Sequence, residues 1–185
     1  MDFKVLAKLR CHDATRTRDV RSMRVMVRRT KLELELSFRA YGNISSICLT
    51  PANGPPGSVE LWRHTCFEAF VAIEGEAAYH EFNFAPSGEW CVYAFRAYRD
   101  PISAENALRS PIIALNATNK RIEMDARIAL SDLSVIHSVS PLRIGLSAII
   151  ESQAGSLSYW ALRHRRKPDF HHADAFALRL KGLEY

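Results

Sequence analysis

An all-β fold, an antiparallel β-sandwich of jelly-roll type, is predicted by three observations. Apolar residues recur at every second position in segments spread along the chain, two central runs are apolar on both faces, and stretches of helical period are scarce. The 185 residues are 48% hydrophobic and 24% charged, which is ordinary globular composition. A chain of that length buries about 70% of its unfolded surface, so one sizeable core and a single domain over 1–185 are expected.

Phe3, Val5, Ala7 and Leu9 alternate in the first segment, and Met23, Val25 and Val27 in the second. Arg28 to Lys31 turns the chain into the clearest strand. There Leu32, Leu34, Leu36, Phe38 and Ala40 point one way, and Lys31, Glu33, Glu35, Ser37 and Arg39 point the other. A helix would smear those five apolar residues around its axis. Pro51 to Gly57 mixes proline and glycine and reads as an irregular loop. Cys66–Ile73 and Trp90–Phe95 are apolar on both faces, as central strands covered on both sides are. Between them His80 to Ala85 leads into a turn at Pro86-Ser87-Gly88. Ile122, Met124, Ala126 and Ile128 alternate again. Leu142–Glu151 and Leu157–Leu162 flank Ser152–Ser156 as a hairpin, and Phe176, Leu178 and Leu180 form the last strand. Ser103–Leu108 and Leu130–Leu133 supply one or two short helical turns. Eight to eleven strands are expected in all.

The net charge of +5 is unevenly placed. Residues 8–31 hold nine Lys and Arg against Asp13 and Asp19, and Arg163-His164-Arg165-Arg166-Lys167 adds four more cations. Residues 60–89 hold six glutamates against Arg63 alone. Two separate basic segments without zinc-finger spacing, a helix-turn-helix pattern or an RNP-like aromatic motif argue against nucleic acid. Solvated surface charge is the main expectation, and an anionic partner is the alternative. No run reaches the ~18 apolar residues of a membrane span. Charges punctuate the first ten residues, unlike a secretory signal, and Cys11, Cys48, Cys66 and Cys91 form no CxxC pair. A reduced, cytoplasmic protein is therefore expected.

Three groups of residues are candidates for chemistry. Glu68 sits among apolar neighbours, where an isolated carboxylate costs several kcal/mol. Arg63, His64, His80 and Arg96 are its candidate partners, in a structural ion pair or as a polar anchor in a ligand pocket. On an extended Tyr79–Phe84, the side chains of Tyr79, Glu81 and Asn83 share one face. A ring beside a carboxylate and an amide suits a neutral polyol, because the polar groups chelate hydroxyls while the ring packs on C–H faces. The third group is Tyr159, Trp160 and His164 with the stretch 168–174. Tyr159 and Trp160 project oppositely, so at most one lines a given pocket. His164, Asp169, His171, His172 and Asp174 are five potential ligands for a divalent metal, but their spacing matches no zinc template. Capping and loop hydrogen bonds are their expected use. There is no GxSxG, P-loop, GxGxxG or HExxH motif. Non-catalytic binding is thus preferred over an enzyme built on Glu68 and a neighbouring histidine, or on Glu68 paired with Glu81.

Leu61-Trp62-Arg63-His64-Thr65-Cys66-Phe67-Glu68-Ala69-Phe70 and Tyr79-His80-Glu81-Phe82-Asn83-Phe84-Ala85-Pro86-Ser87-Gly88-Glu89-Trp90 resemble the bacterial DOMON-like proteins, distant relatives of family 9 carbohydrate-binding modules. Ile144–Glu151, Ser158–His164 and Pro168–His172 are similar too, so the resemblance covers about residues 20–180. It implies a β-sandwich that binds sugar or haem, usually without catalysis. In the family 9 modules two tryptophans clamp a sugar end, which makes Trp62, Trp90 and Trp160 candidates here. Haem-binding relatives ligate iron through Met with a basic residue or His, which makes Met124 and His80 formal candidates. Such modules are commonly secreted parts of larger enzymes. A chain that reads as free-standing and without an export signal points instead to a small intracellular carbohydrate-like ligand. The resulting candidate ligand site is Trp62, His64, Glu68, Tyr79, Glu81, Asn83, Trp90, Tyr159, Trp160, His164 and His171.

Overall fold

The structure, a computed structural model, describes residues 3–49, 60–102 and 110–183. It is an antiparallel β-sandwich with twelve strands among those residues: β1 (Phe3–Cys11), β2 (Val20–Arg29), β3 (Glu33–Gly42), β4 (Cys66–Ile73), β5 (Tyr79–Phe84), β6 (Trp90–Ala97), β7 (Asp100–Ile102), β8 (Ile112–Ala117), β9 (Arg121–Ala129), β10 (Leu142–Glu151), β11 (Leu157–Ala161) and β12 (Leu178–Leu180). One layer runs β1-β2-β3-β9-β8. The other runs β7-β6-β5-β4-β10-β11, with β12 also on β10. β1 belongs to both, because Phe3–Leu9 pair with β2 while Arg10 and Cys11 pair with Ala161 and Trp160 of β11.

The alternation of the first layer decides its faces. Leu34, Leu36, Phe38 and Ala40 of β3 are buried, as are Ile122, Met124, Ala126 and Ile128 of β9. Their neighbours form ion pairs on the outer side, such as Arg28–Glu35 at 3.1 Å and Arg39–Asp125 at 2.9 Å. In the second layer every residue of β4 is buried, as its two-sided apolar pattern predicts. Phe67, Ala69, Val71 and Ile73 face the first layer, while Cys66, Glu68, Phe70 and Ala72 face away. The Phe38 and Phe67 rings meet across the core at 5.3 Å. The turn glycines Gly88 and Gly155 sit at φ of +88° and +79°, a left-handed conformation that side chains resist.

Two strands exceed the expected set, and both are edges. Among the described residues β8 pairs with β9 alone, and its apolar Ile112 and Ala114 face outward while Ile113 and Leu115 pack on the core, so the sequence shows no alternation. β7 contains Pro101, which an edge strand tolerates. The Leu130–Leu133 helical turn forms as expected (α1), and a second helix, α2 (Val135–Val139), follows it. Phe176 does not join the final strand. It ends a 3-10 turn over the outer face of the second layer. Ser103–Leu108 and Pro51–Gly57 lie outside the described residues. Among the described residues no helix is long and apolar enough to cross a membrane.

Arg29 fixes the far end of the core. It is fully buried, and its guanidinium donates to the carbonyls of Lys181 (2.7 Å), His137 (3.1 Å), Ser138 (3.4 Å) and Ser140 (2.7 Å). Those carbonyls belong to the end of α2 and to the segment after β12. The cation therefore satisfies helix-end acceptors instead of a carboxylate. Beside it the rings of His80 and His137 meet edge-on at 5.4 Å. Burial lowers both histidines, His137 to about 4.

Candidate functional site

Register brings the polar residues of the second layer together on its outer face. Cys91, Asn83, Glu68, Ser147 and Ala161 lie directly opposite one another across β6, β5, β4, β10 and β11. The adjacent row is Tyr93, Glu81, Phe70 and Gly145. Apolar groups flank this face: Leu61 with Cys66 and Ala85 on one side, and Phe70, Tyr79, Phe95 and Phe176 on the other.

Glu68, Asn83 and Ser147 are each at most 2% exposed, and Glu81 is 5% exposed. Ser147 Oγ donates to Glu68 Oε2 at 2.7 Å. Asn83 Nδ2 donates to Glu81 Oε1 at 2.8 Å, and Cys66 Sγ donates to Asn83 Oδ1 at 3.6 Å. No Lys or Arg pairs with either glutamate among the described residues; the basic side chain within 4 Å is His171, whose Nε2 lies 3.5 Å from Glu81 Oε2. Burial, and then the charge of Glu81, push the Glu68 carboxyl up to about 8. Burial raises Glu81 as well, against the hydrogen bond from Asn83 and the field of Arg99. The two carboxyls titrate together, and the pair holds a proton at neutral pH.

A second chain of contacts closes the face from the side. The Arg99 N–H donates to Tyr79 Oη at 3.2 Å, and Tyr79 Oη lies 2.8 Å from His171 Nδ1. With that nitrogen accepting from the hydroxyl, the other imidazole N–H points at Glu81. Desolvation and nearby Arg99 depress His171 to about 4, so it is neutral at pH 7. Asp169 anchors the loop by accepting from Tyr98 Oη (2.7 Å) and Arg99 Nη2 (3.1 Å). The stacked rings of Tyr79 and Phe95, 4.7 Å apart, hold this edge rigid.

The expected residues separate into three groups. Glu68, Tyr79, Glu81, Asn83 and His171 come together here. Trp62, His64 and Tyr159 sit at or near the same face: Trp62 is 40% exposed under the Arg63 guanidinium, His64 Nδ1 meets Glu151 Oε2 at 2.8 Å, and the Tyr159 ring approaches Phe170 at 6.1 Å. Trp90, Trp160 and His164 lie elsewhere. Trp90 and Trp160 pack into the core between the layers, where Trp160 Nε1 donates to Ser158 Oγ at 3.1 Å. His164 bonds the Arg10 carbonyl at 2.7 Å, on the β1 side.

The expected ion pair at Glu68 is corrected: none of its four candidate partners reaches it. Arg63 pairs with Glu60, Arg96 with Asp100 and His64 with Glu151, while His80 faces the core side. Ser147 was missed, although it interrupts an apolar run as Glu68 does. Cys91 and Tyr93 were missed because half-buried residues give no such contrast.

The groups proposed for metal or haem do not converge. Among the described residues no three His, Cys, Asp or Glu side chains are placed to share an ion. Met124 is fully buried opposite Phe38 and Leu115, at the other layer from His80, so the pair does not fit a haem.

No protein-family model matches the chain, and no curated protein does. Solved structures are similar in fold. A candidate carbohydrate-binding protein from Bacteroides uniformis superposes with a TM-score of 0.64 at 16% identity, covering 92% of this chain and 83% of that one. A family 9 carbohydrate-binding module from Caldicellulosiruptor kristjanssonii, in complex with cellotriose, gives 0.60 at 12% identity, over 93% and 76% of the two chains. The same kind of module in complex with glucose gives 0.58 at 11%, over 88% and 73%. At these identities the likeness establishes a shared β-sandwich architecture.

Proposed function

We propose that this protein binds a small neutral carbohydrate, without catalysis, on the outer face of the layer that contains β4, as a DOMON-like relative of the family 9 modules. The observation that carries the reading is the buried group Glu68–Ser147–Asn83–Glu81, kept without a cation in the middle of an otherwise apolar strand system. Such a group opposes stability and is characteristic of functional sites. A protonated carboxyl, an amide and a hydroxyl together carry both donors and acceptors, the mix that sugar hydroxyls require. The negative field of the pair disfavours phosphorylated ligands. Trp62, Tyr93 and Tyr159, all partly exposed, supply rings for sugar C–H faces. The solved structures of similar fold include sugar complexes, which supports the same class of ligand. The four cysteines form no disulfide, which fits a reducing cytoplasm.

A thermal-shift and calorimetric titration with glucose and cello-oligosaccharides tests this. A ligand at 100 times its Kd adds about 2.7 kcal/mol, or roughly 5–10 °C in Tm for a domain of this size. Trp62→Ala with Tyr159→Ala is expected to abolish the shift while leaving the unliganded Tm within a few degrees. Absence of any sugar-dependent shift, or full retention of it in the double variant, removes the reading.

A further inference from the structure

We infer that the protein carries a second binding site, an arginine-lined groove at the junction of the two layers that takes a sulfated or carboxylated polysaccharide chain. This site shares none of the residues of the Glu68 face and does not rest on the reading given above.

A cavity of about 910 Å³ lies between the end of β1 and the segment after β11. Arg10, Arg16, Arg163, Arg165 and Arg166 line it, and Asp13 is its one carboxylate. A second cavity of about 440 Å³ shares Arg10 and Arg16 and extends the surface to Lys8 and Arg21. The two basic segments, far apart in sequence, thus become one surface because β1 pairs with β11 through Arg10 and Cys11.

Not all of this charge is compensated. Asp13 holds Arg16 at 2.7 Å, and Asp174 lies 3.4 Å from Arg165. The guanidiniums of Arg10, Arg163 and Arg166 have no hydrogen-bond or ion-pair partner among the described residues. Their backbone is nonetheless held in place. His12 Nε2 lies 3.1 Å from the Arg165 carbonyl, while His12 Nδ1 accepts from the Ala14 N–H, so the imidazole N–H donates to Arg165. His164 Nε2 makes the reciprocal bond to the Arg10 carbonyl at 2.7 Å. The two rings meet edge to face at 5.0 Å. Two histidines therefore staple the 163–166 segment to β1, and three uncompensated cations sit on a pre-organised rim.

The lining also selects among anions. The larger cavity has no Phe, Tyr or Trp in its walls, and its two imidazoles are engaged with each other. Single-stranded nucleic acid is held by stacking its bases on exposed rings, and duplexes are gripped by elements that protrude into a groove. The larger cavity is concave and offers charge with no free ring, and Trp160, which borders the smaller one, is itself 4% exposed and packed in the core. Its volume is within the range of small-ligand and oligosaccharide sites. Repeated sulfate or carboxylate groups along a sugar chain match the spaced guanidiniums, which bind such oxyanions bidentately.

The test uses the full chain and a heparin-derived hexasaccharide, an oligogalacturonate hexamer, a neutral cello-oligosaccharide and a single-stranded oligonucleotide of equal charge. Binding is followed calorimetrically from low to high salt, with wild type, Arg163→Ser/Arg166→Ser and an Arg24→Ser control. Tight, salt-sensitive binding of the sulfated or the carboxylated hexamer, lost at least tenfold in the double variant and kept in the control, supports the site; whichever hexamer binds identifies the anion. Arg163 and Arg166 are exposed, so an unchanged Tm verifies folding. Equal or tighter binding of the oligonucleotide overturns the proposal, as does no binding of either hexamer, or equal loss in the Arg24 control. Neutral sugar binding unaffected by the double variant keeps this result separate from that on the Glu68 face.

Discussion

Glu68→Gln makes the protein more stable at neutral pH, and the gain depends on pH. The Glu68 carboxyl is raised from an ordinary 4.5 to about 8 by burial and by Glu81. The folded state thus binds a proton that the unfolded chain releases above pH 4.5. Stability from this group is complete below the unfolded value and is lost as pH rises towards the folded one. Each unit of difference is worth about 1.4 kcal/mol, so wild type loses about 3 kcal/mol between about pH 5.5 and pH 8 through this residue. Glutamine has the same shape, keeps an acceptor for the Ser147 hydroxyl and does not titrate. Urea unfolding of both proteins across that window measures the effect. Their difference is expected to widen with pH in favour of the variant, by an amount of order 3 kcal/mol. Parallel curves, or a variant that is less stable at every pH, refute a cation-free, proton-holding carboxyl and show that Glu68 is ionised and paired.

The acid side behaves oppositely. His137 and His171 are held neutral, each depressed to about 4, so their contribution is complete above the unfolded value near 6.5 and is lost as pH falls towards 4. His171→Phe is expected to flatten the acid limb of a stability–pH profile; an unchanged limb counts against a buried neutral imidazole. Arg29→Met removes the donor for four carbonyls at the end of α2 and after β12, so a loss of about 3 kcal/mol or more is expected in urea unfolding. A loss below ~1 kcal/mol shows that water replaces the guanidinium. Gly42→Ala drives a methyl into the Asp19 carbonyl at the irregularity between β2 and β3. A loss of at least ~2 kcal/mol is expected from the backbone shift this forces, checked by thermal unfolding.

Legibility in the sequence followed burial contrast. β3 could be read because Leu34, Leu36 and Phe38 are fully buried beside charged neighbours, and β4 because neither of its faces meets water. β7 has no buried face, and β8 has only Ile113 and Leu115 partly buried between apolar Ile112 and Ala114, so no contrast marked them. At the site, Glu68 stood out as a charge in an apolar run, and the shared face of Tyr79, Glu81 and Asn83 followed from period two. The partner of Glu68 did not follow. Ser147 lies 79 residues away and is opposite Glu68 only through the β4–β10 register, which a local pattern does not encode. Likewise, the sequence left Tyr159 and Trp160 interchangeable, and packing put the larger indole inside.

The double membership of β1 has a consequence for how the chain acquires its shape. Its early residues can zip onto β2 through a short reversal, a local event completed soon after synthesis. Its last two residues must wait for Trp160 and Ala161, about 150 positions later, before the sandwich gains its seam. Until then the β10 side remains an open edge, and β11 is the strand that links the two layers through β1.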